Sequence, residues 1–196
     1  MTALRRFGLL APLAALSLAG CGLNSVPTAE EQVNAAWGNL QSEYQRRSDL
    51  IPNLVATVQG YAKQERDVLV EVTNARARAT SVTVSPAQLS DPAAVANFEQ
   101  AQTALSGSLG RLLVSVEKYP DLKSNEQFLN LQSQIEGTEN RINVTRKDYN
   151  EAVRDYNTEI RTFPSVIGAK VIYGAKPLQP FKATSAGAQN APTVTF

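Results

Sequence analysis

SNEQFLNLQSQIEGTENRINVTRKDYNEAVRDYNTEIRTF, residues Ser124 to Phe163, is the stretch that organises the chain. At seven-residue intervals it places Phe128, Ile135, Ile142, Tyr149, Tyr156 and Phe163. A neighbouring row reads Leu131, Thr138, Thr145 and Ala152, with Val153 and Ile160 taking over as the phase drifts. Apolar residues at steps of three and four mark one face of a helix, and a strict seven-residue repeat marks a coiled-coil-like seam. Only Gly137 interrupts the run, and Pro164 closes it, because proline disfavours helical geometry in the residue before it. At 1.5 Å per residue such a helix reaches about 60 Å. A rod of that length cannot bury its seam alone, so the rest of the chain must supply partners.

Upstream, a second amphipathic pattern gives Phe98, Leu105, Leu112 and Tyr119, beside Val95, Gln102, Leu109 and Val116. Asp91-Pro92 starts it as an N-cap followed by proline at the first helical position, and Pro120-Asp121 ends it. Ser124 to Gln127 can then cap the long helix. Gly107 and Gly110 lower the helix propensity of this segment, as expected where a neighbour approaches closely. Ser81 to Pro92 reads as an irregular connection.

Further upstream one seam runs Trp37, Tyr44, Ile51, Val58, Glu65, Val72 and Ala79, beside Val33, Leu40, Arg47, Leu54, Tyr61, Val68 and Ala75. The phase survives Pro52, which predicts one long helix kinked there; a tight turn between two helices is the alternative. Thr28 to Glu31 has the pattern of a capping box at its start. After Pro164, Ser165 to Tyr173 has room for one or two helical turns. From Gly174 the chain reads as an irregular tail, whose Phe181 and Phe196 either pin it to the bundle or dangle. The expected fold is all-α: an up-down bundle of three to four long antiparallel helices over residues 28–173, with an irregular tail over 174–196.

The N-terminus reads differently. Arg5 and Arg6 precede an apolar stretch, Phe7 to Ala19, of 13 residues. That is shorter than the roughly 20 residues of a membrane-spanning helix and suits a signal peptide over residues 1–20. Leu18-Ala19-Gly20-Cys21 looks like a bacterial lipobox, in which the cysteine receives a lipid and becomes the new N-terminus. Residues 21–27 would then be a lipidated tether. Cys21 is the only cysteine, so no intramolecular disulfide competes for it. Gly22 stands where the inner-membrane retention signal of enteric bacteria has Asp, which favours the outer membrane. The expected address is the periplasmic side of the bacterial cell envelope.

Without Arg5 and Arg6, 17 basic residues stand against 18 acidic ones, and no basic stripe supports nucleic-acid binding. The chain has no histidine, which removes Ser-His-Asp and Cys-His catalysis, most zinc sites and the usual carboxylate-histidine di-iron site of a bundle. No glycine-rich phosphate loop is present. Neither a cofactor nor a metal is expected. Carboxylates remain, and Arg46, Arg47, Asp49, Glu65, Glu136, Glu139 and Arg141 are the polar residues of interest.

Arg47 and Glu65 occupy seam positions, where burial would demand a partner. Three readings follow: an internal ion-pair network that fixes helix register; a ligand or partner site beside Pro52; and an acid pair drawn from Asp49, Glu65, Glu136 and Glu139. Trp37, Tyr149 and Tyr156 read as core aromatics rather than a ligand cage, with their polar atoms finding partners.

Trp37-Gly38-Asn39-Leu40, the stretch from Tyr44 to Val55 and Val72-Thr73-Asn74-Ala75-Arg76 resemble the LemA family. So do Tyr119 to Lys123, Asn125, Phe128, Glu136 to Ile142, Tyr149-Asn150, Tyr156-Asn157 and Phe163-Pro164, a likeness covering nearly all of the chain beyond the signal peptide. The resemblance implies a bacterial long-helix bundle, membrane-anchored at its N-terminus, facing the periplasm or exterior and without established enzymatic activity. A relative has been linked to shaping or maturing an internal bacterial membrane. Many members keep an uncleaved N-terminal membrane helix, whereas this chain has a lipobox. The functional expectation is a non-enzymatic scaffold or adaptor, held to the membrane by lipid and meeting a protein partner or itself through helix faces. The alternatives are a carboxylate enzyme acting on glycan, or a small-anion-binding bundle using Arg47 or Arg141.

Overall fold

The computed structural model describes residues 24–182, and the regular elements among them are all helical. Four are long: α1 (Ser25–Tyr61), α2 (Arg66–Ser81), α3 (Pro92–Val116) and α5 (Glu126–Glu159). Two are single turns, α4 (Pro120–Lys123) and α6 (Ser165–Gly168), and a π-helical turn over Ala169–Tyr173 follows the second. The long helices alternate up and down, as the heptad rows require. α1 and α5 form the most extensive pair and run antiparallel, so that Trp37 meets Tyr149 and Arg47 meets Glu139. α2 folds back along α1, and α3 packs on α2 and returns beside α1.

α1 runs unbroken through Pro52. The break that the heptads hide lies at residues 62–65, so the expected single helix to Ala79 is two helices in a hairpin. Val58 and Val72 are both fully buried and stand two heptads apart, so the phase carries across the turn by coincidence of length. Pro52 nevertheless has a structural consequence. It brings no N–H to the Ser48 carbonyl one turn earlier, and Arg76 Nε from α2 donates to that carbonyl at 2.8 Å.

Several ends differ from expectation. α1 begins at Ser25, three residues before the expected cap, and the Thr28 hydroxyl donates to the Asn24 carbonyl at 2.7 Å instead of capping. Asp91 does cap α3, accepting from Ala93 N at 2.9 Å, and Asn125 caps α5, accepting from Phe128 N at 3.0 Å. α3 stops at Val116, and Pro120 opens a short turn rather than ending the helix. α5 stops at Glu159, leaving Phe163 77% exposed rather than on the seam. Gly110 has open space where a side chain would stand, and Gly107 faces only Arg111 of its own helix, so no close helix approach explains these glycines.

The core lies in two halves. One gathers Val33, Trp37, Leu40, Phe98, Tyr149 and Val153, and the other Leu54, Val58, Leu105, Leu112, Phe128 and Ile135. Between them lie the buried polar residues Arg47, Ser48, Gln102 and Thr138. The first half is aromatic: Trp37 is 5.3 Å from Phe98, 5.5 Å from Tyr149 and 6.0 Å from Phe181, centroid to centroid. Phe181 is 4% exposed, so the tail is pinned at that point. Phe196, residues 1–20 and Cys21 lie outside the described residues.

Two Tyr-Asn pairs on α5, seven residues apart, explain how the tail is held. Tyr149 and Tyr156 point into the core, as expected. The adjoining asparagines face the tail. Asn150 accepts from Phe181 N at 2.8 Å and donates to Phe181 O at 3.1 Å. Asn157 does the same for Leu178, at 2.9 Å in both directions. A primary amide offers a donor and an acceptor side by side, so each reads one residue of extended backbone. The Tyr149 hydroxyl donates to Gln179 O, and Gln179 N donates to Leu89 O, both at 2.9 Å. Over residues 174–182 the tail is irregular in class yet fixed in place.

Candidate functional site

Arg47 shares its row with Val33, Leu40 and Leu54, so α1 carries it to the bundle axis, where it is 1% exposed. A charge removed from water there needs compensation. Its Nη1 donates to Glu139 Oε1 on α5 at 2.6 Å and to Ser106 Oγ on α3 at 2.7 Å. Its Nη2 donates to Gln102 Oε1 at 2.7 Å, and the guanidinium carbon lies 5.2 Å from the Tyr44 ring centroid. The Gln102 amide in turn donates to the Ala79 carbonyl of α2 at 3.1 Å. One side chain on α1 thus ties α3 and α5 directly, and α2 through Gln102. Arg47 Nε and Ser48 Oγ find no hydrogen-bond partner among the described residues.

A cleft of about 210 Å³ opens beside this arginine between α3 and α5. Its wall includes Arg47, Glu139, Glu99 and Arg146, two cations balanced by two carboxylates. Arg146 Nη2 lies 3.5 Å from Glu99 Oε1, an ion pair without a directed hydrogen bond, and donates to Lys182 O of the tail at 2.8 Å. Burial pushes the Tyr44 hydroxyl up to about 12 against the opposing pull of Arg146 and Arg47, so the ring enters the cleft as a neutral phenol.

Of the seven polar residues expected here, only Arg47 and Glu139 meet directly. Arg141 pairs with Glu43 at 2.9 Å along the α1–α5 interface and donates to Thr138 Oγ1 at 2.9 Å. Arg46 is exposed. Asp49 and Glu136 are also exposed, accepting from Gln45 and Gln132 of their own helices at 2.7 and 2.9 Å. Glu65 is not a seam residue. It sits at the α1–α2 turn and accepts from the Tyr119 hydroxyl at 3.0 Å. Gln102, Ser106, Glu99 and Arg146 were missed. Gln102 carried a signal, a polar residue in an apolar row, whereas the others stand outside the rows and gave none. The Trp37 indole N–H donates to Val84 O at 3.2 Å, which makes it a satisfied core aromatic.

Among the described residues no group of three or more carboxylates, cysteines or histidines is arranged to hold a metal, and no helix is long and apolar enough to cross a membrane.

These features define a class: an all-α up-down bundle of long helices, divided at mid-height by a buried arginine layer and strapped by its own tail. The LemA family model matches residues 36–196, and the chain belongs to the LemA family. No curated protein matches the chain.

Proposed function

We propose that the protein is a lipid-anchored scaffold or adaptor of the bacterial cell envelope. Cys21 holds it on the periplasmic side, at the outer membrane, and its helix faces meet a protein partner or a second copy. The observation that carries this reading is the use made of the central polar groups. Arg47, Glu139, Gln102 and Ser106 are engaged with one another across the helices, a register lock of the kind that polar residues provide in coiled coils. Membership of the LemA family and the lipobox around Cys21 support the membrane address. Among the described residues the exposed apolar side chains do not line up as a strip along one long helix, which contact through a helix face would favour. Several stand apart from one another, Val70 on α2, Val114 on α3, and Leu129 and Val144 fifteen residues apart on α5.

Photoreactive residues at these four positions, introduced one at a time in living cells, test the proposal. A reproducible protein partner captured from one face supports the adaptor, and crosslinks to a second copy alone make it a self-assembling scaffold. Capture of glycan by additional probes beside Asp49 or Glu139 overturns it in favour of an enzyme. The cleft supports a second reading, a site for a small anion or zwitterion gripped by Arg47 and Arg146. That reading requires Arg146→Ala to abolish thermal stabilisation by such a ligand.

A further inference from the structure

Among the described residues, half of the large exposed apolar side chains gather in one short segment. Phe163 is 77% exposed, Ile167 58%, Val171 79%, Ile172 60% and Tyr173 44%. All five lie on or beside α6 and the π-helical turn, at the end of the bundle where α5 stops. Within residues 160–176 the charged side chains are Arg161, Lys170 and Lys176, all exposed, while the acids at this end are Glu159 and the exposed Glu30 and Glu31 of α1.

This end is also where the N-terminal segment leaves. Ser25 Oγ, in the first turn of α1, lies 3.3 Å from Ser165 Oγ of α6, and Ser165 also donates to the Glu159 carboxylate. Cys21 stands three residues before Asn24, the first described residue. Three extended residues span at most about 11 Å. An acyl chain on Cys21 would therefore keep this end of the bundle within reach of the lipid surface.

We propose that Phe163, Ile167, Val171, Ile172 and Tyr173 form a membrane-docking surface that inserts into the interfacial layer of an anionic bilayer. The proposal rests on the lipid-anchor reading. It adds a second contact, which sets orientation where a single flexible anchor would leave the rod free to lean. The chemistry fits. Exposed apolar side chains interspersed along the segment with Arg161, Lys170 and Lys176 match acyl chains beneath anionic headgroups, and an aromatic hydroxyl such as that of Tyr173 is at home at that depth.

The test uses the full lipidated protein in vesicles of phosphatidylethanolamine and phosphatidylglycerol with brominated acyl chains, which quench tryptophan on contact. Ile172→Trp reports on the docking surface. Val114→Trp, 71% exposed near the opposite end of the bundle, is the control, and the native Trp37 is a buried background common to both. The expected result is at least twofold stronger quenching for Ile172→Trp than for Val114→Trp, falling when phosphatidylglycerol is replaced by a zwitterionic lipid. Equal quenching of the two variants while both float with the vesicles overturns the docking surface and leaves the anchor standing. The same holds if Ile172→Trp is shielded and instead crosslinks to a second copy. Failure to float overturns the anchor and the docking surface together.

Discussion

At the residue scale, Arg47 and Glu139 differ in how far water can reach them. Arg47 is 1% exposed, whereas the Glu139 side chain is 32% exposed. Removing the glutamate leaves a buried cation without a counter-charge; removing the arginine leaves a carboxylate that can rehydrate. We expect Glu139→Leu to cost about 3 kcal/mol and Arg47→Met about 1 kcal/mol in urea denaturation, with the double variant no worse than Glu139→Leu alone. A double variant markedly less stable than either single one would show that the pair is not the unit. Pro52 and Arg76 form a second residue-scale unit. Arg76→Ala should destabilise the wild type by about 1–2 kcal/mol, because the Ser48 carbonyl loses its donor. In a Pro52→Ala background the alanine N–H can satisfy that carbonyl, and Arg76→Ala should cost little. Additive effects would mean that Arg76 does not answer the proline. Arg47 was legible because a charge in an apolar row demands partners. Which partners was not legible, since Ser106 and Glu139 reach it only after α3 and α5 are docked.

At the element scale, the rows of α3 and α5 were readable almost residue by residue, because a long helix with one buried face repeats its signal every seven residues. The α1–α2 break was not, because a four-residue turn left the repeat in phase and Glu65 was the sole irregularity. The tail was illegible for a different reason. Its partners are two asparagines on another element, and backbone pairing of that kind leaves no periodic trace. Asn150→Asp keeps an acceptor for Phe181 N but sets a carboxylate against Phe181 O. Hydrogen exchange at the Phe181 amide should accelerate in Asn150→Asp and further in Asn150→Ala; unchanged protection would show that Phe181 packing alone holds the tail. At the C-terminal end of α5, hydrogen bonds from Ser165 and then Ser25 hold the Glu159 carboxylate below its ordinary 4.5. A lowered acid contributes stability that is present above 4.5 and lost as the pH falls through the lowered value. Protection of the α6 amides should therefore fall on acidification, and Glu159→Gln should flatten that dependence.

At the scale of the whole molecule, the bundle has two unlike ends. One carries the aromatic core, the tail strap and the apolar basic segment near the start of α1. At 1.5 Å per residue α1 sets the other end about 55 Å away. That end holds the Glu65–Tyr119 and Tyr61–Asn125 hydrogen bonds. A rod with such polarity suits attachment at one end and contact with partners along its faces. Attachment through Cys21 is the point on which the proposed function and the docking surface both depend. It is tested most directly by growing cells with an alkyne-bearing fatty acid and comparing the wild type with Cys21→Ser, scoring label and membrane fractionation together. The wild type should carry the label and sediment with membranes, and Cys21→Ser should carry none. An unlabelled wild type, or label that persists in Cys21→Ser, would contradict lipid anchoring at this cysteine.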